Sequence, residues 1–265
     1  MFGDVNSPVR DVRMTLARLV PLCFLSIGLS VPTCSAQVNR TASVPTKLPL
    51  TVSVRELSIP MEAGRAFDRG TQLLAAKAWA RSISEFRRAI KAFPTFYEAF
   101  YRMGIAEQRL GQAGEAELAF RKSLELSAGR YAPAHFGLGL ILSEDKKQYA
   151  AAETMVDSGL ALDPKDGGGY FALGWILFRT DRLPDAEHAA HEALVLQPSL
   201  AAAYVLLAQV HLRESKPDAV GEDLDAYLKL DPGGAKDSIV AALRAQAQQI
   251  RASAAQASEV RQEQP

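Results

Sequence analysis

The four histidines of this 265-residue chain, His135, His188, His191 and His211, are the side chains best suited to carry protons or bind a metal. Only His188 and His191 are close in sequence, three residues apart, which puts them on one face if the segment is helical. Two ligands fall short of a structural zinc site, and the pair reads as solvated polar residues on an outer face. His135 and His211 fall at packing positions. Glu115 with Glu117, and Asp223 with Asp225, are spaced by two, so on helices neither pair shares a face and neither makes an acid–base couple. The chain has no Gly-rich phosphate loop, no His-Glu-x-x-His and no nucleophile elbow; Gly167-Gly168-Gly169 reads as turn punctuation before a hairpin. No catalytic residue, cofactor or metal is expected, and the chain does not read as an enzyme.

Composition narrows the remaining classes. Hydrophobic residues make up 48% of the chain, enough for a packed core, and 30 Lys+Arg balance 30 Asp+Glu. A neutral chain lacks the excess cations that neutralise phosphates, so nucleic acid is not an expected partner. Cys23 and Cys34 are the two cysteines, too few for a disulfide framework.

Both lie in an N-terminal segment that reads as an export signal. Arg10, Arg13 and Arg18 precede the apolar run Leu19 to Val31, and Thr33-Cys34-Ser35-Ala36 supplies small residues for cleavage before Gln37. The 13-residue run is shorter than the ~20 residues of a membrane span. Export to the periplasm or the exterior is therefore expected, from a start at Met1 or Met14, with residues 1–36 removed. Lipidation at Cys34 is disfavoured by Val31-Pro32-Thr33 before it. The processed chain would contain no cysteine and would keep a near-neutral balance, because residues 1–36 carry 3 Arg and 2 Asp. Asn39-Arg40-Thr41 matches a glycosylation sequon, relevant only in a source with that pathway.

An internal period organises the rest. Gly70, Gly104, Gly139, Gly174 and Ala208 recur at 34, 35, 35 and 34 residues, and Pro94, Pro164, Pro198 and Pro232 follow four of them by 24 or 25. Such a period implies stacked helical hairpins. The one 25-residue spacing, from Gly139 to Pro164, places an extra residue in the turn around Ser143 to Tyr149. In the fourth copy Tyr170, Leu173, Gly174 and Leu177 lie on the first helix, and Ala186, Ala190 and Ala193 on the second, before Pro198. The second copy has Phe100, Met103, Gly104, Ala116 and Phe120 but lacks the closing proline. On these residues the chain resembles the tetratricopeptide repeat family. The resemblance implies an all-α, right-handed superhelical solenoid of about five hairpins, near 63–96, 97–130, 131–166, 167–200 and 201–234. An extended linker over 37–60 precedes the array at 61–233, a capping helix over 235–251 follows it, and 252–265 reads as a disordered tail.

The family also implies a binding face. Its first helices line a concave groove with a stripe one residue round from the packing stripe, here Phe171, Trp175, Phe178 and Arg179 in the fourth repeat. Corresponding positions hold Tyr101, Ile105 and Arg109 in the second repeat, Phe136 and Leu140 in the third, and Val205, Leu212 and Arg213 in the fifth. An apolar groove rimmed by arginines is one expectation, and packing of the same aromatics against the adjoining helix is the other. The family's carboxylate clamp is not expected, because its Asn residues are missing. The alternating Leu48, Leu50, Val52 and Val54 form an extended apolar segment that could occupy such a groove in cis or serve as plain linker. The reading is an exported, non-catalytic adaptor for a protein or peptide partner. The alternatives are an assembly component of a cell-envelope complex, of pilus or secretin type, and a regulatory subunit of an enzyme.

Overall fold

The computed structural model describes residues 58–144 and 148–262, with side chains to residue 256. The signal at 1–36, the linker up to residue 57 and the Leu48 to Val54 segment lie outside the described residues. Eleven α-helices and one short 3-10 turn make up the described residues, and ten of the helices form five hairpins. These are α1 (Met61–Ala75) with α2 (Trp79–Ala92), α3 (Tyr97–Arg109) with α4 (Ala113–Leu126), and α5 (Ala132–Glu144) with α6 (Tyr149–Leu162). Then follow α7 (Gly167–Arg179) with α8 (Leu183–Leu196) and α9 (Ala201–Arg213) with α10 (Pro217–Leu230). Each second helix also packs on the first helix of the next hairpin, and successive first helices touch along the array. The fold is the expected all-α solenoid.

The periodic glycines are where the two helices of a hairpin come closest. A Cβ on Gly104 would meet the Phe120 ring at 2.8 Å and the Ala116 carbonyl at 3.2 Å; on Gly139 it would meet Val156 at 2.7 Å and the Ala152 carbonyl at 3.0 Å. Ala208, fully buried, is the fifth repeat's counterpart.

Two devices stop the helices. The first helices of repeats one, two, four and five end in one C-terminal motif, in which a residue with positive φ lets two N–H groups fold back on the last carbonyls. Gln112 N–H donates to the Glu107 carbonyl and Gly111 N–H to Gln108; Arg182 and Asp181 repeat this on Leu177 and Phe178. The left-handed residues are Lys77, Gly111, Asp181 and Ser215. In the third hairpin the closing bond runs from Gln148 N–H to the Leu142 carbonyl, six residues back instead of five, as its extra residue requires. Second helices end instead at a proline, which cannot donate to a further turn. The second repeat, without that proline, stops α4 with left-handed Ala128 and Gly129, their N–H groups donating to the Glu125 and Leu124 carbonyls.

Two expectations are corrected. Gly167-Gly168-Gly169 is the first turn of α7, capped by the Asp166 side chain, which accepts from Gly169 N–H at 3.0 Å. Close packing explains the glycines: a Cβ on Gly167 would lie 2.9 Å from the Ala193 carbonyl, and one on Gly169 2.6 Å from the Phe136 ring. The terminal helix α11 (Ser238–Gln262) covers 25 residues, so 252–262 is helix and not disordered tail. The segment ASAAQASEVRQ has no apolar period, but its alanines favour helix by propensity alone. α11 covers the last hairpin as a capping helix should, with Ile239, Val240, Leu243 and Ala247 against Val220, Leu224 and Tyr227.

The core is continuous from Leu74 on α1 to Val210 on α9. A separate cluster under α11 takes Val205 and Ala208 from α9, whereas Leu206, Leu207 and Val210 of the same helix belong to the main core.

Candidate partner-binding face

The second stripe of the first helices does not form an exposed apolar groove. Tyr101, Phe136, Phe171, Trp175 and Phe178 are all buried, none more than 5% exposed, and all belong to the main core. The reason is visible at Phe136. Its ring enters a notch between Gly159 on α6 and Gly169 on α7, both too close to accept a Cβ. A side chain at this position points into the joint between hairpins. Tyr101 packs on Phe120 with centroids 5.8 Å apart and on Tyr131 at 5.4 Å; Trp175 lies on Phe178 at 5.8 Å. The packing alternative describes these five aromatics.

The arginines of the stripe are placed differently. Arg109, Arg179 and Arg213 close the first helices of repeats two, four and five, and each guanidinium stands over an aromatic ring. Arg109 lies 5.3 Å from the centroid of Trp79, the first residue of α2. Arg179 lies 5.9 Å from Tyr149, the first residue of α6, and donates to its hydroxyl at 3.4 Å. Both pairs are 30 residues apart, one repeat repeating the other. Arg213 lies 4.9 Å from the Phe178 ring and pairs with Asp181. Stacking holds the guanidinium plane in one orientation, and a guanidinium so held suits carboxylates and carbonyls.

A tyrosine cluster lies outside the stripe. Half-buried Tyr97 and Tyr131 stand 5.0 Å apart, with Tyr131 preceding α5, and Arg102 lies 5.8 Å from the centroid of the Phe67 ring. Burial pushes the Tyr101 and Tyr131 hydroxyls well above the usual phenol range, so both stay protonated donors. Tyr131 falls outside any helical period, which is why spacing does not reveal it.

Five hairpins of 34 to 35 residues close across small residues at one register, and residues 97–129 match the family model for the tetratricopeptide repeat. The chain carries a tetratricopeptide repeat. A curated relative, the tetratricopeptide repeat-containing protein trd-1 of Caenorhabditis elegans, is 32% identical over 110 residues, which is 42% of this chain and 14% of the relative. This tetratricopeptide repeat chain therefore matches only a small part of that relative's length. Among solved structures, it is similar to a thermophilic protein of the family from Thermus thermophilus, with TM-score 0.61, 19% identity, and 70% of this chain and 98% of the other covered. It is also similar to PilW, a type IV pilus biogenesis factor, with TM-score 0.55, 16% identity, and 71% and 93% covered. At these identities the likeness is one of fold. No described helix is long and apolar enough to cross a membrane.

His135 and His211 occupy packing positions, and His188 and His191 are exposed. His135 Nε2 lies 2.8 Å from the Gly129 carbonyl and steadies the joint between repeats two and three. His211 is 8% exposed, but its neighbours are carboxylates: Asp223 at 2.7 Å from Nδ1 and Glu187 at 3.3 Å from Nε2.

Proposed function

We propose that this protein is a non-catalytic adaptor that works outside the cytoplasm and holds an extended segment of a partner protein along the face of its first helices. The observation that carries the reading is the register of Arg109, Arg179 and Arg213. Guanidiniums oriented by rings sit at one edge of that face in three of five repeats. Arginine and aromatic groups so arranged are favoured contributors to binding energy. The partner's contacts are then mainly polar, through carboxylates and main-chain carbonyls, because the aromatic stripe is occupied in core packing. Tyr97 and Tyr131 add amphipathic surface next to Arg102. Export rests on the charged and apolar N-terminal segment, residues 1–36.

Photo-crosslinking in cells from residue 179, followed by mass spectrometry, tests this. A discrete protein adduct that fades in an Arg109→Ala/Arg213→Ala background supports it, and an adduct pattern unchanged by those substitutions refutes it. A role in assembling an envelope complex is the second reading, favoured by the fold shared with the pilus biogenesis factor. It would show as stable, stoichiometric co-purification with a membrane fraction.

A further inference from the structure

His211 lies near the end of α9, and its ring is held by acceptors from two other helices. Asp223 Oδ2 on α10 lies 2.7 Å from Nδ1. A carboxylate only accepts, so Nδ1 carries the proton and, in the neutral ring, Nε2 presents a lone pair. That lone pair faces Glu187 Oε1 on α8 at 3.3 Å, a second group that only accepts. Glu214, directly after α9, completes the group: one ligand atom from each of Glu187, His211 and Glu214 lies within 4.8 Å of the others. Either a proton or a metal ion must therefore sit between Nε2 and these carboxylates.

We propose that Glu187, His211 and Glu214 form a divalent metal site of the zinc class that ties the fourth repeat to the fifth. One imidazole nitrogen and two carboxylate oxygens are a donor set zinc accepts, with solvent completing four ligands. The separation of 3.3 Å between Nε2 and Glu187 Oε1 matches the edge of a tetrahedron with bonds of about 2.0–2.1 Å. Asp223 stands where an outer carboxylate fixes the tautomer and aims a ligating histidine. The His211 side chain is only 11% exposed and is held by Asp223, so its orientation is set by the fold. Two other groups border the site. Lys216 Nζ pairs with Glu214 Oε2 at 2.8 Å and competes with the metal; exposed His191 lies 3.8 Å from Glu187 Oε1.

The test titrates Zn2+ into the untagged protein against a chromophoric chelator and records the visible spectrum with Co2+. One equivalent bound at micromolar or tighter affinity is expected, with the intense bands of a four-coordinate cobalt centre. Asp223→Asn should weaken binding about 10–100-fold, and Lys216→Met should strengthen it several-fold. His188→Gln, on the exposed surface, should leave binding unchanged. His211→Gln should abolish it; Glu187→Gln with Glu214→Gln, at partly exposed positions, serves the same purpose if the first variant does not fold. No stoichiometric binding, or binding that survives loss of His211 or of both glutamates, overturns the proposal and leaves a proton as the cation.

Discussion

The Phe136 ring fills the space that a Cβ on Gly159 would require, and the same ring lies 2.6 Å from the corresponding point on Gly169. One aromatic therefore joins both helices of the third hairpin to the first helix of the fourth. Gly159→Ala overpacks this notch and should destabilise by about 1–3 kcal/mol. Phe136→Leu in the same chain should recover part of the loss, and a double-mutant cycle by denaturant unfolding measures the coupling.

Trp175, 2% exposed, acts through volume and not through its indole N–H, which has no acceptor. Trp175→Ala should cost about 3–5 kcal/mol. Trp175→Phe should cost much less, because it keeps ring packing and removes a buried unsatisfied donor. Equal losses in the two variants would show that the N–H has a partner.

The joint between repeats two and three holds Ala128 at φ 51°, a left-handed conformation in which a Cβ costs roughly 1–2 kcal/mol. Ala128→Gly relieves this and should raise the melting temperature by a few degrees, offset in part by the entropy of glycine in the unfolded chain. Lys77→Gly, at φ 59°, should act in the same direction. Calorimetry reads both.

Burial raises the Glu107 carboxyl to about 7, with Arg87 at 3.9 Å compensating only part of the cost. A carboxyl raised in the fold binds more protons there than in the unfolded chain between roughly pH 4.5 and 7. Its contribution to stability is therefore present at acid pH and lost as pH rises through about 7. Glu107→Gln removes the titration. Its stability relative to the parent should be near zero at pH 4.5, rise toward pH 7, and level off at no more than about 3 kcal/mol. A difference independent of pH would contradict the assignment. Leu142 and Leu177 occupy the equivalent place in the next two repeats, which shows how unusual a carboxylate is there.

The array was legible because its marks are one-dimensional. Gly70, Gly104, Gly139 and Gly174 recur in sequence for the same reason that they pack, each admitting the second helix of its own hairpin. The binding face was less legible. Whether Phe136 faces solvent depends on Gly159 and Gly169, two residues on other helices whose sizes no helical period displays. The His211 cluster draws Glu187 from 24 residues before and Asp223 from 12 after, a spacing that matches no ligand motif. The end of α11 carries no such mark, because apolar periodicity reveals helices that bury a face, and residues 251–256 are exposed helix.

Helix α9 is a party wall. Leu206, Leu207 and Val210 face the main core, and Val205 and Ala208 face the cluster under α11. Amide hydrogens of α10 and α11 should therefore exchange as one cooperative block, opening from the C-terminal end while repeats one to four stay closed. The solenoid then frays in whole units, and α9 marks where the fraying halts.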